Sequence, residues 1–397
     1  MRAPDAGPAP GAAATRGTPF QGTTLMEMLR TRAASQPDDL AYTFLADGEN
    51  PVDELTWSVL DRAARAVAAT LQARLQPGDR ALLVYPPGLS FIAGFFGCIY
   101  AGVLAVPVMP PQGGRSGRSA DRLAAIIADS DAQCVLTSSD LRERLRDAID
   151  PRIARIATDG ISYDDAHGWR EPALHPEAIA FLQYTSGSTA LPRGVMVSHG
   201  NLLHNLNAAF YLGENAADTV SISWLPVTHD MGLIEGVLQP AFSGCPAYLM
   251  SPAAFLQRPV RWLRAMSTYR ATRSGGPNFA YDIAATRVSA ADRDSLDLRA
   301  WRAAYNGAEP VRHDTMASFA HAYATAGFRA DAFRPCYGLA ESTLLVTSAP
   351  WDPASANGHP VSCGRHADGT IVRIVDPVTH AACADDEPAG FGCFPLK

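Results

Sequence analysis

The feature that most constrains the fold is a regular alternation of short apolar runs with longer segments of helical periodicity. Leu25, Met28 and Leu29 recur at the spacing of a helix, and the segment 57–71 repeats that spacing over four turns. The run 81–85 then has the length and composition of a strand. Strands that alternate with helices of this length predict α/β architecture, with parallel sheets covered by helices on both faces.

The alternation continues in two series, which we expect to form two parallel-sheet lobes. Residues 23–175 would form the first lobe and residues 176–345 the second, with the polar stretch 164–176 as a hinge. Residues 1–22 are rich in Pro, Ala and Gly and are expected to be a flexible leader. Residues 346–397 are expected to form an incomplete β-rich subdomain with an irregular tail. The predicted strands are 81–85, 104–108, 134–137, 153–157, 179–184, 194–197, 220–224, 247–250, 272–274, 301–305, 344–346 and 371–375.

Composition excludes several classes of function. The 397 residues include 33 basic and 40 acidic side chains, which give a formal net charge of −7. Nucleic-acid binding needs a basic surface that neutralises phosphates, so no nucleic-acid partner is expected. No apolar run approaches the roughly 20 residues that cross a bilayer. The first residues also lack the apolar block of a signal peptide, so a cytoplasmic protein without a membrane span is expected.

Lysine is nearly absent, because Lys397 is the only one and every other basic residue is arginine. Catalytic roles that need lysine are therefore excluded from the body of the chain. The seven cysteines are scattered without a CxxC pair, so idle thiols are expected rather than disulfides. The ten histidines show no metal-ligand spacing, which argues against a histidine-rich metal centre.

The most informative segment is a loop of hydroxyl-bearing and glycine residues directly after an apolar strand. Such a loop can wrap backbone N–H groups and hydroxyls around phosphate oxygens, and Arg193 adds a fixed positive charge. It lacks the lysine and the spacing of the P-loop of nucleoside triphosphatases. From composition alone, an ordinary polar turn is an equally good interpretation. The loop consists of Thr185, Ser186, Gly187, Ser188 and Thr189.

Four further segments with polar side chains lie near the ends of predicted strands. The carboxyl ends of parallel strands form the edge of an open sheet at which ligands bind. Taken singly, His229 is also interpretable as a core histidine and Glu341 as a helix cap, but their shared placement favours a site. The segments are 224–232, containing WLP and HDMG; 274–278, SGGPN; 306–310, NGAEP; and 336–343, CYGLAEST.

In this order the segments resemble the adenylate-forming superfamily of acyl- and aryl-CoA ligases and adenylation domains, and within it the fatty acyl-AMP ligases. The resemblance extends from about residue 23 to residue 377. The motifs typical of that branch are FLQYTSGST at 181–189, SHGNL at 198–202, SP and FLQRP within 251–259, GGPNF at 275–279 and NGAEP at 306–310.

The resemblance implies a reaction in which a fatty acid carboxylate attacks the α-phosphorus of ATP to give an acyl adenylate and pyrophosphate. The catalytic residues that it implies are His229, which positions the carboxylate, Glu341, which binds Mg²⁺, and Arg193. For the apolar residues Met231, Leu233, Ile234 and Phe279, a plain core position is as good an interpretation as contact with a fatty chain. The implied cofactor-binding residues are Thr185, Ser186, Gly187, Ser188, Thr189, Asn306, Gly307, Ala308, Glu309, Tyr337 and Gly338. The implied substrate-binding residues are Met231, Gly232, Ile234, Gly275, Gly276, Pro277, Asn278 and Phe279.

Three of these implied roles carry a physical reason. The loop 185–189 would hold the β- and γ-phosphates, and Tyr337 would stack on the adenine ring beside residues 306–308. Because Gly275 and Gly276 lack side chains, the nucleotide and the acyl group would approach the backbone closely. The implied acceptor of the acyl group is the phosphopantetheine arm of an acyl carrier protein, in polyketide or lipopeptide biosynthesis.

Three departures from the family pattern affect the expected activity. Arg193 stands where the family usually has lysine, which keeps the charge but changes the shape. The stretch 347–360 is short where fatty acyl-AMP ligases carry an insertion, and this puts the choice between carrier protein and coenzyme A in doubt. The resemblance ends after Thr379, before the C-terminal domain that carries the family's catalytic lysine.

The expected function is therefore a fatty acyl-AMP ligase that the missing C-terminal part impairs. Two alternatives stay open. One is a nucleotide- and acyl-binding remnant of the family with little or no turnover, and the other is a fatty acyl-CoA ligase.

Overall fold

The computed structural model describes residues 16–111, 118–146, 148–185, 192–355, 361–366, 369–376, 379 and 381–383. These residues form two β-sheets with helices packed on their faces. The strands are β1 Leu40–Leu45, β2 Pro51–Thr56, β3 Arg80–Leu83, β4 Leu104–Pro107, β5 Cys134–Thr137, β6 Ala154–Ala157, β7 Ile179–Thr185, β8 Arg193–Ser198, β9 Ser221–Ser223, β10 Ala247–Met250, β11 Arg273–Gly276, β12 Ala303–Asn306, β13 Phe333–Gly338, β14 Leu345–Ser348 and β15 Arg365–His366. The helices are α1 Leu25–Ser35, α2 Trp57–Gln72, α3 Ser90–Ala101, α4 Arg118–Ser130, α5 Ser139–Arg144, α6 His199–Leu212, α7 Asp230–Leu233, α8 Gln239–Ser243, α9 Pro252–Gln257, α10 Val260–Thr268, α11 Asn278–Arg287, α12 Ala290–Asp294 and α13 His313–Ala322.

The smaller sheet has six strands in the order β6-β5-β3-β4-β7-β8. All neighbours are parallel except β7 and β8, which form an antiparallel pair. Strand β5 is buried along its whole length. Helices cover both faces of a parallel sheet, so its strands are continuous apolar runs, and this is why the sequence pattern located them.

The larger sheet has nine strands in the order β15-β14-β13-β12-β11-β9-β10-β1-β2. Its centre, from β13 to β1, is parallel, whereas β2, β14 and β15 are antiparallel additions at the two edges. The predicted α/β class, with parallel-dominated sheets covered by helices, is confirmed. The predicted strand 371–375 is wrong, because Val375 makes only an isolated bridge to Ala382.

The two sheets interleave along the chain. Strands β1 and β2 precede β3 but belong to the larger sheet. Strands β7 and β8, which the sequence analysis assigned to the second lobe, belong to the smaller sheet, because β7 pairs with β4 at Ala105 and Phe181. Sheet membership therefore does not follow the expected boundary at residue 175, and the division into lobes stays a prediction.

The end of the expected leader is packed rather than flexible. Gly17 and Phe20 donate backbone hydrogen bonds to the carbonyls of Ser243 (2.9 Å) and Phe242 (3.2 Å), and the Phe20 ring is buried. The expectation is thus wrong for these residues, and Arg32 also donates to the carbonyl of Phe242. Residues 1–15 of the expected leader lie outside the described residues.

Arg32 on α1 is fully buried, and burial lowers its pKa to about 10. Its Nε donates to the carbonyl of Ala241 (3.0 Å), and its Nη2 donates to the carbonyls of Thr18 (2.8 Å) and Phe242. One planar guanidinium therefore joins the N-terminal segment, α1 and α8.

We predict that Arg32→Lys lowers the free energy of unfolding by about 2–4 kcal/mol, because a single ammonium cannot reach carbonyls on both sides and leaves buried acceptors unpaired. Urea unfolding followed by circular dichroism measures the change. The matched control is Arg30→Lys on the same helix, where an exposed ion pair with Glu171 should cost about 0–1 kcal/mol. Equal effects of the two substitutions would contradict the role of Arg32.

Within the described part of the chain, no helix has both the length and the apolar character that a membrane crossing requires. The six described cysteines are free, and three of them, Cys98, Cys134 and Cys245, are buried. This confirms the expectation of unpaired thiols for those residues.

Candidate active site

Three neighbouring strands of the larger sheet bring several of the predicted site residues to one edge. Gly276 ends β11 and Asn306 ends β12, and the two residues are partners in the parallel register. Tyr337 and Gly338 end β13, the next strand. Residues from distant parts of the chain thus meet where parallel strands terminate, which is the usual position of a ligand site in an open sheet.

Asn306 is fully buried at this edge. Its Nδ2 donates to the Oδ1 of Asn278 (3.4 Å), which also accepts the backbone N–H of Arg312 (3.0 Å). Asn278 Nδ2 in turn donates to Thr315 Oγ1 (3.1 Å). The Oδ1 of Asn306 has no hydrogen-bond partner among the described residues. A buried acceptor without a partner is costly, so this oxygen is suited to a donor on a ligand.

The loop after Asn306 is held in an unusual conformation. Ala308 has a φ of +65°, a left-handed backbone that residues with a Cβ rarely adopt. The Glu309 carboxylate accepts the backbone N–H of Phe279 (2.6 Å), so the loop is fastened to the first turn of α11. Glu309 therefore has a structural contact here, whatever its role toward a nucleotide.

The space above the two glycines of β11 is filled by protein. A Cβ on Gly275 would lie 2.5 Å from the Tyr305 ring, and one on Gly276 would lie 2.5 Å from the Trp224 ring. The expected direct approach of a ligand to the backbone of these glycines therefore stays a prediction. They are required because two aromatic rings pack onto the strand.

His229 precedes α7 with a side chain that is 55% exposed. Its Nδ1 lies 2.7 Å from Asp230 Oδ1, and the same carboxylate oxygen accepts the backbone N–H of Met231 (2.6 Å). The hydrogen bond to Asp230 raises the pKa of His229 above its ordinary value, against the opposing effect of burial. Gln183 Nε2 donates to the carbonyl of Thr228 (3.0 Å), which fastens the histidine loop to β7.

A cavity of about 190 Å³ opens among these residues, and we call it the strand cavity. Five of the predicted residues line it: His229, Met231, Ala308, Tyr337 and Gly338. From there it extends along β11, β12 and β13 beneath α6.

Other predicted substrate residues do not line the strand cavity. Ile234 is part of the buried core, and a Cβ on Gly232 would lie 2.0 Å from the Pro226 carbonyl oxygen. Phe279 is 38% exposed and lies edge-on to Trp224, with ring centroids 6.2 Å apart. Pro277 caps the start of α11. Of the three apolar candidates Met231, Ile234 and Phe279, Met231 alone lies in the cavity wall.

Glu341 is exposed on a short 3₁₀ turn that follows β13. It lines a second cavity of about 240 Å³ together with Val195, Met196 and Val197 of β8. Leu345 lines both this cavity and the strand cavity, so the two are adjacent.

Strands β7 and β8 place the ends of the predicted phosphate loop. Thr185 and Arg193 are register partners, and Arg193 is exposed. The carbonyl of Thr185 accepts a hydrogen bond from Arg122 Nη2 (3.2 Å). The predicted phosphate-binding residues Ser186, Gly187, Ser188 and Thr189 lie outside the described residues.

Asn205 on α6 is a residue that the sequence analysis missed. Its Oδ1 accepts the N–H of Leu345 (3.0 Å) and its Nδ2 donates to the carbonyl of the same residue (2.8 Å). The asparagine is buried and so fixes the segment that follows Glu341. The sequence does contain a signal for this role, since Asn205 lies among Leu202, Leu203 and Leu206. An amide on an apolar helix face needs a hydrogen-bond partner.

No group of three or more His, Cys, Asp or Glu side chains that could hold a metal occurs among the residues described. The expectation that the chain has no histidine-rich centre stays a prediction. It leaves single carboxylates such as Glu341 as the candidates for a cation that phosphate oxygens also bind.

Comparison with known proteins defines the class to which this fold and site belong. The profile of the family described as AMP-binding enzyme matches residues 29–392. The chain therefore belongs to the AMP-binding enzyme family.

Particular relatives are more specific. A medium-chain fatty acid–acyl-carrier-protein ligase, JamA of Moorena producens, is 40% identical over 396 residues, which cover 92% of this chain and 67% of that one. A putative fatty-acid–CoA ligase, FadD21 of Mycobacterium tuberculosis, is 37% identical over 402 residues, covering 93% and 68%. The structure of a fatty acyl-adenylate ligase from L. pneumophila in complex with acyl adenylate and pyrophosphate matches with a TM-score of 0.84 and 41% identity, covering 92% and 67%. The chain thus spans about two thirds of the length of these relatives.

We predict that Asp230→Asn lowers the pKa of His229, because the amide no longer stabilises the imidazolium. The imidazole should then lose its proton at a lower pH than in the unaltered protein. Titration of the histidine C–H resonances by NMR measures the pKa, with His229→Gln to assign the signal. The matched control is Glu177→Gln, which removes the carboxylate beside His175 (3.2 Å) and should leave His229 unchanged. An unchanged His229 pKa in Asp230→Asn would contradict the assigned contact.

Proposed function

We propose that this chain activates a fatty acid with ATP to an acyl adenylate and pyrophosphate, and passes the acyl group to an acyl carrier protein. The observation that carries the proposal is the match to a ligase structure that holds acyl adenylate and pyrophosphate, at 41% identity over 92% of the chain. The strand cavity and the buried acceptor on Asn306 support it independently.

The reaction joins two anions, so catalysis depends on positioning and on neutralising charge. A carboxylate oxygen attacks the α-phosphorus, the bond from that phosphorus to the β-bridging oxygen breaks, and pyrophosphate leaves with the electron pair. Arg193, exposed at the start of β8, would provide positive charge beside the phosphates, as would the backbone N–H groups of the loop 185–189. The other residues need only hold the reactants in line.

The nucleotide would bind at the carboxyl ends of β12 and β13. Asn306 Oδ1 is an unpaired acceptor that could receive a hydrogen bond from the exocyclic amino group of adenine. Ala308 and Tyr337 line the strand cavity, where the tyrosine ring can pack against the base. The acyl chain would then enter the strand cavity past His229 and Met231.

His229 would position the fatty acid carboxylate at the mouth of the cavity. Because Asp230 raises its pKa, the imidazole keeps its proton to a higher pH than a free histidine. A protonated ring can donate to a carboxylate oxygen and lowers the repulsion between that carboxylate and the phosphates. Met231, immediately beyond, would contact the first methylene groups.

Glu341 would be a ligand of Mg²⁺. Its exposed carboxylate lines a cavity together with β8, the strand that follows the predicted phosphate loop. Mg²⁺ is usually bound by one or two carboxylates together with substrate phosphates, so a single glutamate fits the ion. When bound, the ion would neutralise charge on the phosphate oxygens. Asn205 would keep this glutamate in place by fixing Leu345.

Coenzyme A is the second candidate acceptor, because a relative that is 37% identical carries the description putative fatty-acid–CoA ligase. The carrier protein is favoured by the 40% identity to a ligase of that specificity. The ATP that the reaction consumes is consistent with the cytoplasmic location that the sequence predicts.

ATP–pyrophosphate exchange with lauric acid tests the first half-reaction. An exchange rate above that measured without fatty acid supports the adenylating activity. Acyl transfer to holo carrier protein rather than to coenzyme A supports the carrier protein as the acceptor. Tight binding of ATP without exchange would instead support a binding remnant of the family. Absence of both binding and exchange would overturn the proposal.

We predict that Glu341→Gln lowers Mg²⁺-dependent exchange by about 10²-fold or more, because the amide loses the charge that the ion requires. Initial exchange rates over a range of Mg²⁺ concentrations measure the loss. Glu171→Gln, at an exposed ion pair with Arg30, is the matched control and should retain the rate of the unaltered chain. A normal rate in Glu341→Gln would refute the role of Glu341.

A further inference from the structure

The end of the strand cavity that lies away from His229 is polar. Arg273, at the start of β11, and Glu235, in the π-helical segment Ile234–Leu238, line that end with Tyr305. The strand register places Gly275 beside Tyr305 and Tyr305 beside Arg334. Paired residues lie on the same face of a sheet, so these side chains share the face that forms the cavity wall.

An ion pair closes the cavity. Arg273 Nη2 donates to the Glu235 carboxylate, and Nη1 donates to Asn215 Oδ1 (2.8 Å). The two charged side chains are only 4% and 11% exposed. Arg334 lines the same end, and it is paired with Glu214. The charges at this end are therefore balanced.

Two polar groups at this end are left without partners. The hydroxyl of Tyr305 and the Nε of Arg273 are buried and make no hydrogen bond with any described residue. Tyr305 as a whole is 8% exposed, and burial raises the pKa of its hydroxyl, as does the negative charge of Glu235. The same carboxylate raises the pKa of Cys336 in the wall, after the larger effect of burial. Glu235, Tyr305 and Cys336 all line the strand cavity.

A plain hydrocarbon terminus would leave these groups unsatisfied. It offers neither a donor nor an acceptor to the Tyr305 hydroxyl, which is already buried away from water. A terminal carboxylate would meet Glu235, and a terminal ammonium would meet Arg273, so either charge would be repelled by one member of the pair. A neutral hydroxyl both donates and accepts, and it complements the carboxylate and the tyrosine together.

The depth of the cavity sets the distance of this group from the reacting carboxyl. Arg273 lies at the polar end of the cavity and Gly276 at the carboxyl end of β11. The three residue-to-residue rises between them span about 10 Å. An extended chain covers that distance with on the order of eight carbon–carbon bonds, since each bond of about 1.5 Å advances it by less than its length.

We propose that the strand cavity selects medium-length fatty acids that carry a hydroxyl at the far end of the chain, recognised by Glu235 and Tyr305. This inference rests on the proposed function, in which the cavity holds the acyl chain. It adds the chemical class of the acid, because the polar end favours an ω-hydroxy acid over the unsubstituted acid of equal length.

Binding of non-hydrolysable acyl adenylate analogues to the full chain tests the proposal. The probes are sulfamoyladenosine alone, its octanoyl and decanoyl derivatives, and the matching 8-hydroxyoctanoyl and 10-hydroxydecanoyl derivatives, each titrated by calorimetry. For at least one chain length the terminal hydroxyl should lower Kd about tenfold or more, as a hydrogen bond to a charged group does.

The outcomes separate this inference from the proposed function. If sulfamoyladenosine and all its derivatives fail to bind, the proposed function fails and the inference falls with it. If the acyl derivatives bind but the hydroxyl leaves Kd unchanged or raises it at both lengths, the inference alone is overturned.

The Tyr305→Phe variant tests whether the Tyr305 hydroxyl forms a hydrogen bond with the terminal hydroxyl of the ligand. It removes one oxygen and should reduce the advantage of the hydroxylated probe over the plain probe severalfold. The matched control is Tyr323→Phe. The Tyr323 hydroxyl donates to the Ala284 carbonyl (2.7 Å) away from the cavity, so this variant should keep the full difference in Kd between the hydroxylated and plain probes. Should Tyr305→Phe fail to fold, the comparison of probes on the unaltered chain still decides the proposal.

Discussion

The parallel pairing of β11, β12 and β13 is the constraint on which the candidate site depends. The pairing of Gly276 with Asn306, and of Asn306 with Pro335, brings three loops that are far apart in sequence to one edge. The same register aligns Gly275, Tyr305 and Arg334 across one face. Because side chains alternate between faces, a shift of one residue would exchange the cavity wall with the opposite side of the sheet.

Buried polar groups divide into two sets with different functions. Arg32 and Asn205 have their hydrogen bonds satisfied by backbone carbonyls and amides, and they hold segments together. Asn306 Oδ1 and the Tyr305 hydroxyl have no partner among the described residues, and both lie along the strands that border the cavity. Other buried atoms, such as Trp57 Nε1 and Thr137 Oγ1, are also unpaired, so the position of the second set along the cavity strands is what favours a ligand there.

The sequence predicted the sheets better than it predicted their connections. Buried parallel strands such as β5 and β10 are apolar runs, and the pattern found them with nearly correct bounds. The antiparallel pair β1 and β2 was missed although Asp47-Gly48 is a typical hairpin turn. Pairing of β7 with β4 depends on contacts distant in sequence, so the interleaving of the sheets was not predictable from local pattern.

The order of motifs placed the candidate residues at strand ends, but it did not distinguish cavity wall from core. Met231 and Ile234 are both apolar residues of one helical segment, and only contacts show that the first lines the cavity. The ion pair of Glu235 with Arg273 joins residues 38 positions apart and had no signal in the sequence. The contact of His229 with Asp230 involves adjacent residues, yet it required the turn that begins α7.

A crystal structure of the protein with decanoyl sulfamoyladenosine would test the central claim most directly. We expect the adenine amino group within hydrogen-bonding distance of Asn306 Oδ1, and the acyl chain along β11–β13 with its end near Tyr305. Adenine bound away from Asn306, or an acyl chain outside the strand cavity, would contradict it.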